Sequence, residues 1–197
     1  VSIHPRHANA ILDGTKQFID HQDAFSVVMG LCVDGIPTLG VVFIPTQNKL
    51  YFAEVGKGDD LLNVEGKKKL SVSKTERLSD TILFIKSPSK RFRPWEESIL
   101  KLPAKTKILG GSFAMKLCEI AEGKADLYVH PSRKLGKWDT GGSQVILTEA
   151  GGKITDINGA TLNYQQESNF WENSVVASNK IIHEEVISKL NFREIKK

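Results

Sequence analysis

Residues 137–164 read KWDTGGSQVILTEAGGKITDINGATLNY, and this stretch decides the class of fold. Its first half predicts a helix. Val145, Ile146 and Ala150 form an apolar stripe, Asp139 or Thr140 is a fitting N-cap, and Gly151-Gly152 supplies the stop. Its second half predicts a hairpin, with Lys153–Ile157 and Ala160–Tyr164 joined at the Asn158-Gly159 turn. A helix directly followed by a hairpin is neither all-β nor a strict strand–helix alternation.

The flanking sequence repeats that mixture. Upstream, Phe113, Leu117, Ile120 and Ala121 recur at helical spacing, and Gly123 ends the helix; Ala125–Val129 follows as a strand. Lys107–Leu109 reads as a short buried strand running into Gly110-Gly111-Ser112, and Pro94 opens a short helix through Leu100. Lys69–Ser73 and Thr81–Lys86 read as strands. Nearer the start, Phe25–Val33, Ile36–Ile44 and Leu50–Val55 form an antiparallel meander turned at Asp34-Gly35 and Gln47-Asn48, with Gly56–Asp60 as a loop. Val1–Leu12 shows no period, and the polar stretch from Asp13 to Asp20 allows one or two helical turns. Downstream, Ser174–Ser178 is a strand and Ile181–Leu190 a helix. The fold class expected is α/β, a layered sandwich rather than a doubly wound sheet.

Composition narrows the function classes. The chain has 197 residues, 40% hydrophobic and 25% charged, which suits one globular domain spanning 1–197 and excludes wholesale disorder or a disulfide scaffold. The net charge of +4 is a small surplus of 27 basic over 23 acidic residues. Lys67-Lys68-Lys69 and Lys90-Arg91-Phe92-Arg93 read as solvated clusters, and without a reader motif no nucleic-acid partner is expected. No apolar run is long enough for a membrane span. Cys32 and Cys118 lack a CxxC spacing and read as buried free thiols of a reducing compartment, so a cytoplasmic location is expected. His4, His7, His21, His130 and His183 show no paired metal-ligand spacing. His21 and Asp23 read as surface residues, as do Glu119 and Glu122 on their helix, while Trp138 reads as a core residue that fixes Asp139.

Two stretches share one chemical design. In Leu12-Asp13-Gly14-Thr15 and in Trp138-Asp139-Thr140-Gly141 an acidic residue precedes a helix start, with a hydroxyl beside it. Free N–H groups at a helix start suit a phosphate. A neighbouring carboxylate can hold Mg²⁺, a hard cation that often shares a phosphate ligand. Glycine after the carboxylate lets the backbone approach an anion closely. Each stretch alone is also an ordinary turn or cap.

Taken in order, ILDGTKQFI, LGVVFIP, GGSFAMKLCEIAEGKADLYVHP and KWDTGGSQVILTEAGGKITDINGATLNY resemble the inositol monophosphatase superfamily. DGTKQFI, Lys116-Leu117-Cys118 before AEGKADLY, and Lys137 before Trp138-Asp139-Thr140 are most similar to its 3′(2′),5′-bisphosphate nucleotidase branch, the CysQ-like enzymes. The likeness runs from about Leu12 to the last helix. It implies a Mg²⁺-dependent, lithium-inhibited phosphatase whose substrate is a small phosphorylated metabolite, 3′-phosphoadenosine 5′-phosphate first. It implies Asp13, Asp139 and the main-chain oxygen of Leu12 as metal ligands. Gly14 and Thr15 would bind phosphate, with the Thr15 hydroxyl also orienting the attacking water. Gly111, Ser112 and Lys116 would line the substrate side. Family members occur as monomers or dimers, so a homodimer is an expected assembly.

The chain departs from the family in two places. The family's first motif begins Asp-Pro, and here Ala10 stands where a metal-bridging aspartate is expected. The family's N-terminal helices, which end in a Gly-Glu-Glu element, have no counterpart in 1–197, and residues 1–11 are an atypical opening segment. Their absence implies one uncovered apolar sheet face, which oligomerisation could cover. Two alternatives therefore accompany the nucleotidase reading: a phosphatase of inositol or sugar phosphates, and a catalytically inactive homologue acting as a binding module.

Overall fold

A computed structural model describes residues 6–85, 98–108, 111–130 and 135–190. The expected helix at Pro94–Leu100 lies mostly outside these residues, as do His4, Lys90–Arg93 and Gly110. Six strands form one antiparallel sheet in chain order: β1 (Arg6–Asp13), β2 (Ser26–Val33), β3 (Ile36–Ile44), β4 (Lys49–Glu54), β5 (Gly58–Asn63) and β6 (Gly66–Lys69). Five strands form a second, mixed sheet from β7 (Ile82–Ile85), β8 (Lys105–Ile108), β9 (Leu127–His130), β10 (Lys153–Asp156) and β11 (Val175–Ser178), ordered β10-β11-β9-β7-β8.

Four α-helices lie wholly within the described residues. α1 (Thr15–Ile19) is a single exposed turn after β1. α2 (Phe113–Ala121) and α3 (Lys137–Glu149) lie between the two sheets, and α4 (His183–Lys189) packs against β11 on the far side of the second sheet. The layers are thus sheet, helices, sheet, helix, an α/β sandwich as expected. The larger core cluster joins Val28, Val42 and Tyr51 of the first sheet to Leu117 of α2 and Ile146 of α3. A second cluster, with Leu83, Val176 and Val186, lies between the second sheet and α4.

Four expectations are corrected. Val1–Leu12 was read as aperiodic, yet Arg6–Asp13 is a full strand, paired residue by residue with β2 from Arg6↔Val33 to Asp13↔Ser26. A ready partner strand overrides weak local preference. Gly56–Asp60 was read as a loop, but Gly58–Asn63 is β5, held by β4 on one side and β6 on the other. The Lys67–Lys69 cluster and the start of the expected Lys69–Ser73 strand fall in or beside the edge strand β6, and residues 70–77 are irregular. The hairpin after Asn158-Gly159 does not form. The Asp156 N–H closes a turn onto the Ala160 carbonyl, and Tyr164 turns away toward α3.

α3 sits unusually close to the first sheet. A Cβ on Gly40 would lie 1.9 Å from the Gly142 carbonyl oxygen, and one on Gly142 would lie 2.3 Å from that of Met29. Bare backbone on both sides is what lets the helix that carries Asp139 settle on β2 and β3.

Candidate active site

Three elements meet at one end of the first sheet. β1 delivers Asp13 at its last residue, opposite Ser26 of β2. Gly14 follows with φ +86°, a left-handed turn that a side chain would strain, and a Cβ there would press on the Ala24 carbonyl at 2.9 Å. Thr15 opens α1, and its hydroxyl donates to the Leu12 carbonyl at 3.2 Å.

α2 points its N-terminus at Asp13. Ser112 is the N-cap, accepting the Met115 N–H at 3.1 Å, and its hydroxyl meets that of Ser26 at 2.7 Å. The next free amide, Ala114 N–H, donates to Asp13 Oδ2 at 2.8 Å. The Gly111 carbonyl accepts from Lys116 Nζ at 3.0 Å, and the same ammonium lies 4.7 Å from the centroid of the Tyr128 ring. The Lys116 side chain is therefore buried and held against the loop that precedes α2.

α3 delivers Asp139. The helix begins at Lys137 with Gly136 as N-cap, which corrects the expected caps Asp139 and Thr140. Asp139 occupies the third helical position, and its Oδ2 accepts the Gly136 N–H at 3.0 Å. Trp138 is half-buried with its ring edge-on to Phe170, 5.2 Å between centroids, rather than a core residue. The anchor is Thr140 instead: its buried hydroxyl accepts from Tyr164 at 2.9 Å and from the Trp171 indole at 3.1 Å, and donates to the Lys137 carbonyl at 2.9 Å.

Electrostatics bind the two aspartates into one site. Burial pushes Asp139 up to about 6, and the neighbouring Asp13 carboxylate adds to the shift. Burial also raises Asp13, against the opposing pull of the Ala114 amide, the Ser112 hydroxyl and the Lys116 charge. The two carboxylates repel each other, and Lys116 offsets that repulsion at Asp13. All the donors here are hard oxygens, so a divalent cation of the Mg²⁺ kind fits them. Among the described residues no cluster of three or more histidine, cysteine, aspartate or glutamate side chains assembles elsewhere or here.

Ala10 does not join this site. It pairs with Met29, whose side chain is half-exposed on the outer face, whereas Asp13 pairs with buried Ser26. The strand register therefore sets position 10 on the opposite face from Asp13.

Sequence reasoning missed Ser26 and Ala114. The first is an ordinary strand serine and the second contributes only a backbone amide, so neither leaves a motif. It also misread Glu122, which is buried rather than an exposed helix charge. Glu122 takes a short hydrogen bond from Tyr51 and ion pairs from Lys49 at 3.3 Å and Lys124 at 2.6 Å. Cys118 is buried as expected, and Cys32 is half-buried.

Comparison with known proteins supplies the family. Residues 12–194 match the inositol monophosphatase family. The chain belongs to that family. A 3′(2′),5′-bisphosphate nucleotidase CysQ of Buchnera aphidicola is 33% identical over 161 residues, which cover 80% of this chain and 57% of that protein. A histidinol-phosphatase of Mycobacterium tuberculosis is 29% identical over 184 residues, 91% of this chain and 67% of that one. The chain thus spans roughly three fifths to two thirds of these curated relatives. The solved Thermotoga maritima IMPase superposes with a TM-score of 0.81 at 26% identity, covering 98% of this chain and 72% of its own. The family's named relatives are phosphatases, so phosphoric monoester hydrolysis is the activity class this likeness supports. Among the described residues, no helix is long and apolar enough to cross a membrane.

Proposed function

We propose that this chain is a Mg²⁺-dependent phosphomonoesterase acting on a small phosphorylated metabolite, with 3′-phosphoadenosine 5′-phosphate as the first substrate to test. The observation that carries the reading is the convergence of Asp13 and Asp139 in one half-buried site at the mouth of α2. The nucleotide preference rests on the CysQ relatives, which are 33–34% identical over about four fifths of this chain.

Asp13 and Asp139, with the Leu12 carbonyl, would hold the cation, which when bound lowers the pKa of water and offsets phosphate charge. The chain's own residues do the rest. The start of α1 at Gly14 and Thr15 offers backbone N–H groups to the phosphate. The Thr15 hydroxyl donates to Leu12, which leaves its oxygen lone pairs to orient the attacking water. Gly111 and Ser112 wall the substrate side, and Lys116 braces that wall while adding positive charge beside the phosphate. Water attacks phosphorus in line, the ester P–O bond breaks, and the leaving oxygen takes a proton from solvent. No covalent enzyme intermediate is required.

A second reading, an inositol or sugar phosphate as substrate, is favoured by relatives that cover more of the chain, including a Thermotoga maritima fructose-1,6-bisphosphatase/inositol-1-monophosphatase at 29% identity over 91% of it. One experiment separates the two: phosphate release from 3′-phosphoadenosine 5′-phosphate and from inositol 1-phosphate, with and without Mg²⁺. Asp139→Asn is expected to lower turnover about 1,000-fold, or ~4 kcal/mol in the barrier, with far-UV circular dichroism unchanged. Folded wild-type protein silent on both compounds would replace this reading with that of a phosphate-binding homologue without turnover.

A further inference from the structure

Residues 164–171 lie across the first turn of α3 and fasten to it through both backbone and side chains. The Trp171 N–H donates to the Leu135 carbonyl at 2.9 Å, the Lys137 N–H donates to that of Asn169 at 3.0 Å, and Gly136 pairs antiparallel with Phe170. Lys137 Nζ donates back to the Tyr164 and Gln166 carbonyls at 3.3 and 2.5 Å, and stands 5.6 Å from the centroid of the Trp171 ring. The rings of Tyr164 and buried Trp171 meet edge to face at 4.9 Å.

This strap does more than cover apolar surface. Gly136, the N-cap of α3, has no side chain with which to hold the amides of the first turn. The strap substitutes for one. The Tyr164 hydroxyl, 2.9 Å away, and the Trp171 indole N–H, 3.1 Å away, converge on the buried Thr140 oxygen. The Tyr164 O–H is shared with Gln144 Oε1, also at 2.9 Å, one turn further along α3. With both lone pairs of Thr140 filled, its one proton goes to the Lys137 carbonyl at 2.9 Å. That bond closes the turn in which Asp139 lies. The strap also sets Gly136, whose N–H holds Asp139 Oδ2 at 3.0 Å. Backbone and carboxylate of Asp139 are therefore both referred to the strap.

We propose that Tyr164 is a positioning residue that acts through the Thr140 hydroxyl to hold Asp139 ready for a divalent cation. The proposal rests on the metal-site reading above. Without the phenol O–H, the Thr140 oxygen keeps one donor and can rotate away from the Lys137 carbonyl, so the first turn of α3 frays. A frayed turn spends part of its time with Asp139 displaced, and apparent cation affinity falls with the competent fraction. At saturating cation the turn is held closed and turnover recovers.

Mn²⁺ titration of the full chain without substrate, read by electron paramagnetic resonance, tests this apart from catalysis. Asp139→Asn, which removes the ligand, sets the floor. Tyr164→Phe should weaken Mn²⁺ binding about 10-fold and raise the half-saturating Mg²⁺ for phosphate release equally, with kcat within about twofold. Thr140→Val should weaken binding about 30-fold, and the double variant no further, because Tyr164 then has nothing to act through. Thr140→Ser keeps the hydroxyl and should stay within about threefold of wild type. If Thr140→Val does not fold, Tyr164→Phe against Thr140→Ser decides the matter. Unchanged Mn²⁺ affinity in Tyr164→Phe, losses that multiply in the double variant, or a lowered kcat with affinity intact would each overturn the proposal. A wild-type chain that binds no Mn²⁺ would overturn it together with the metal site. The expected pattern of Mn²⁺ affinities in a chain that releases no phosphate would support it and remove only the proposed activity.

Discussion

The inner and outer faces of the six-stranded sheet are written in the same alphabet and behave differently. Both alternate Val, Leu, Phe and Tyr along β2, β3 and β4. The inner face is completed by Gly30 and Gly40, which let α3 descend until backbone touches backbone. The outer face carries Met29, Val41 and Phe52 in the matching middle row, side chains that would hold any helix further off. Apolarity alone marks both faces as surfaces to be covered. Shape tells which one receives the helix bearing Asp139.

The largest expected effect attacks the inner face. Gly40→Val would put a side chain within 1.9 Å of the Gly142 carbonyl, and that atom belongs to helix backbone that cannot step aside alone. A loss of ~4 kcal/mol in stability is expected, read as a fall in the urea midpoint. The folded fraction should also lose turnover, because α3 can relieve the clash only by moving Asp139 away from Asp13. A fully stable and active Gly40→Val protein would show that the close approach is incidental to the site.

Some of this was legible in the sequence and some was not. Asp13 and Asp139 stand out because each is a carboxylate at a helix start with glycine and a hydroxyl nearby, and α2 and α3 show their apolar stripes and glycine stops. The strand β1 was hidden because Arg6–Ala10 lacks alternation, and only pairing with β2 makes it extended. β5 was hidden because Gly58, Asp59 and Asp60 look like turn residues until β4 and β6 flank them. Ser26 and Ala114 could not be singled out, since one acts through a hydroxyl common in strands and the other through an amide every residue has. Glu122 looked exposed on its helix, and its burial depends on Lys49 and Tyr51, more than 70 residues away in the chain.

The second sheet offers a comparison in which polar groups, rather than glycines, fix a helix. Buried His183 opens α4 between the hydroxyls of Thr155 and Ser178, each 2.8 Å from a ring nitrogen. Burial, with Lys153 nearby and Glu184 opposing, lowers its pKa to about 4 from an ordinary 6.5. Above pH 6.5 the ring is neutral folded or unfolded and contributes no pH dependence. As pH falls from 6.5 toward 4, the unfolded chain takes up the proton and the native chain does not. Stability should therefore drop by up to ~3 kcal/mol across that window and level off below it. His183→Gln should be less stable at pH 7 yet lack this share of the slope. An identical slope in the variant would assign the acid sensitivity to other groups.

The smallest expected effect falls on the outer face, at the position where the family carries an aspartate. Ala10→Asp restores the residue type but not its direction, because the β1–β2 register places position 10 beside Met29 and away from Asp13. A carboxylate there is solvated, so stability should change by less than ~0.5 kcal/mol. Phosphate release under saturating Mg²⁺ should stay within about twofold of wild type. A gain of tenfold or more in Mg²⁺-dependent turnover would mean that β1 can twist by one residue near its end and bring position 10 to the inner side. The contrast between the two faces would then be a property of this strand's register, which a metal ligand is able to change, rather than of the sheet itself.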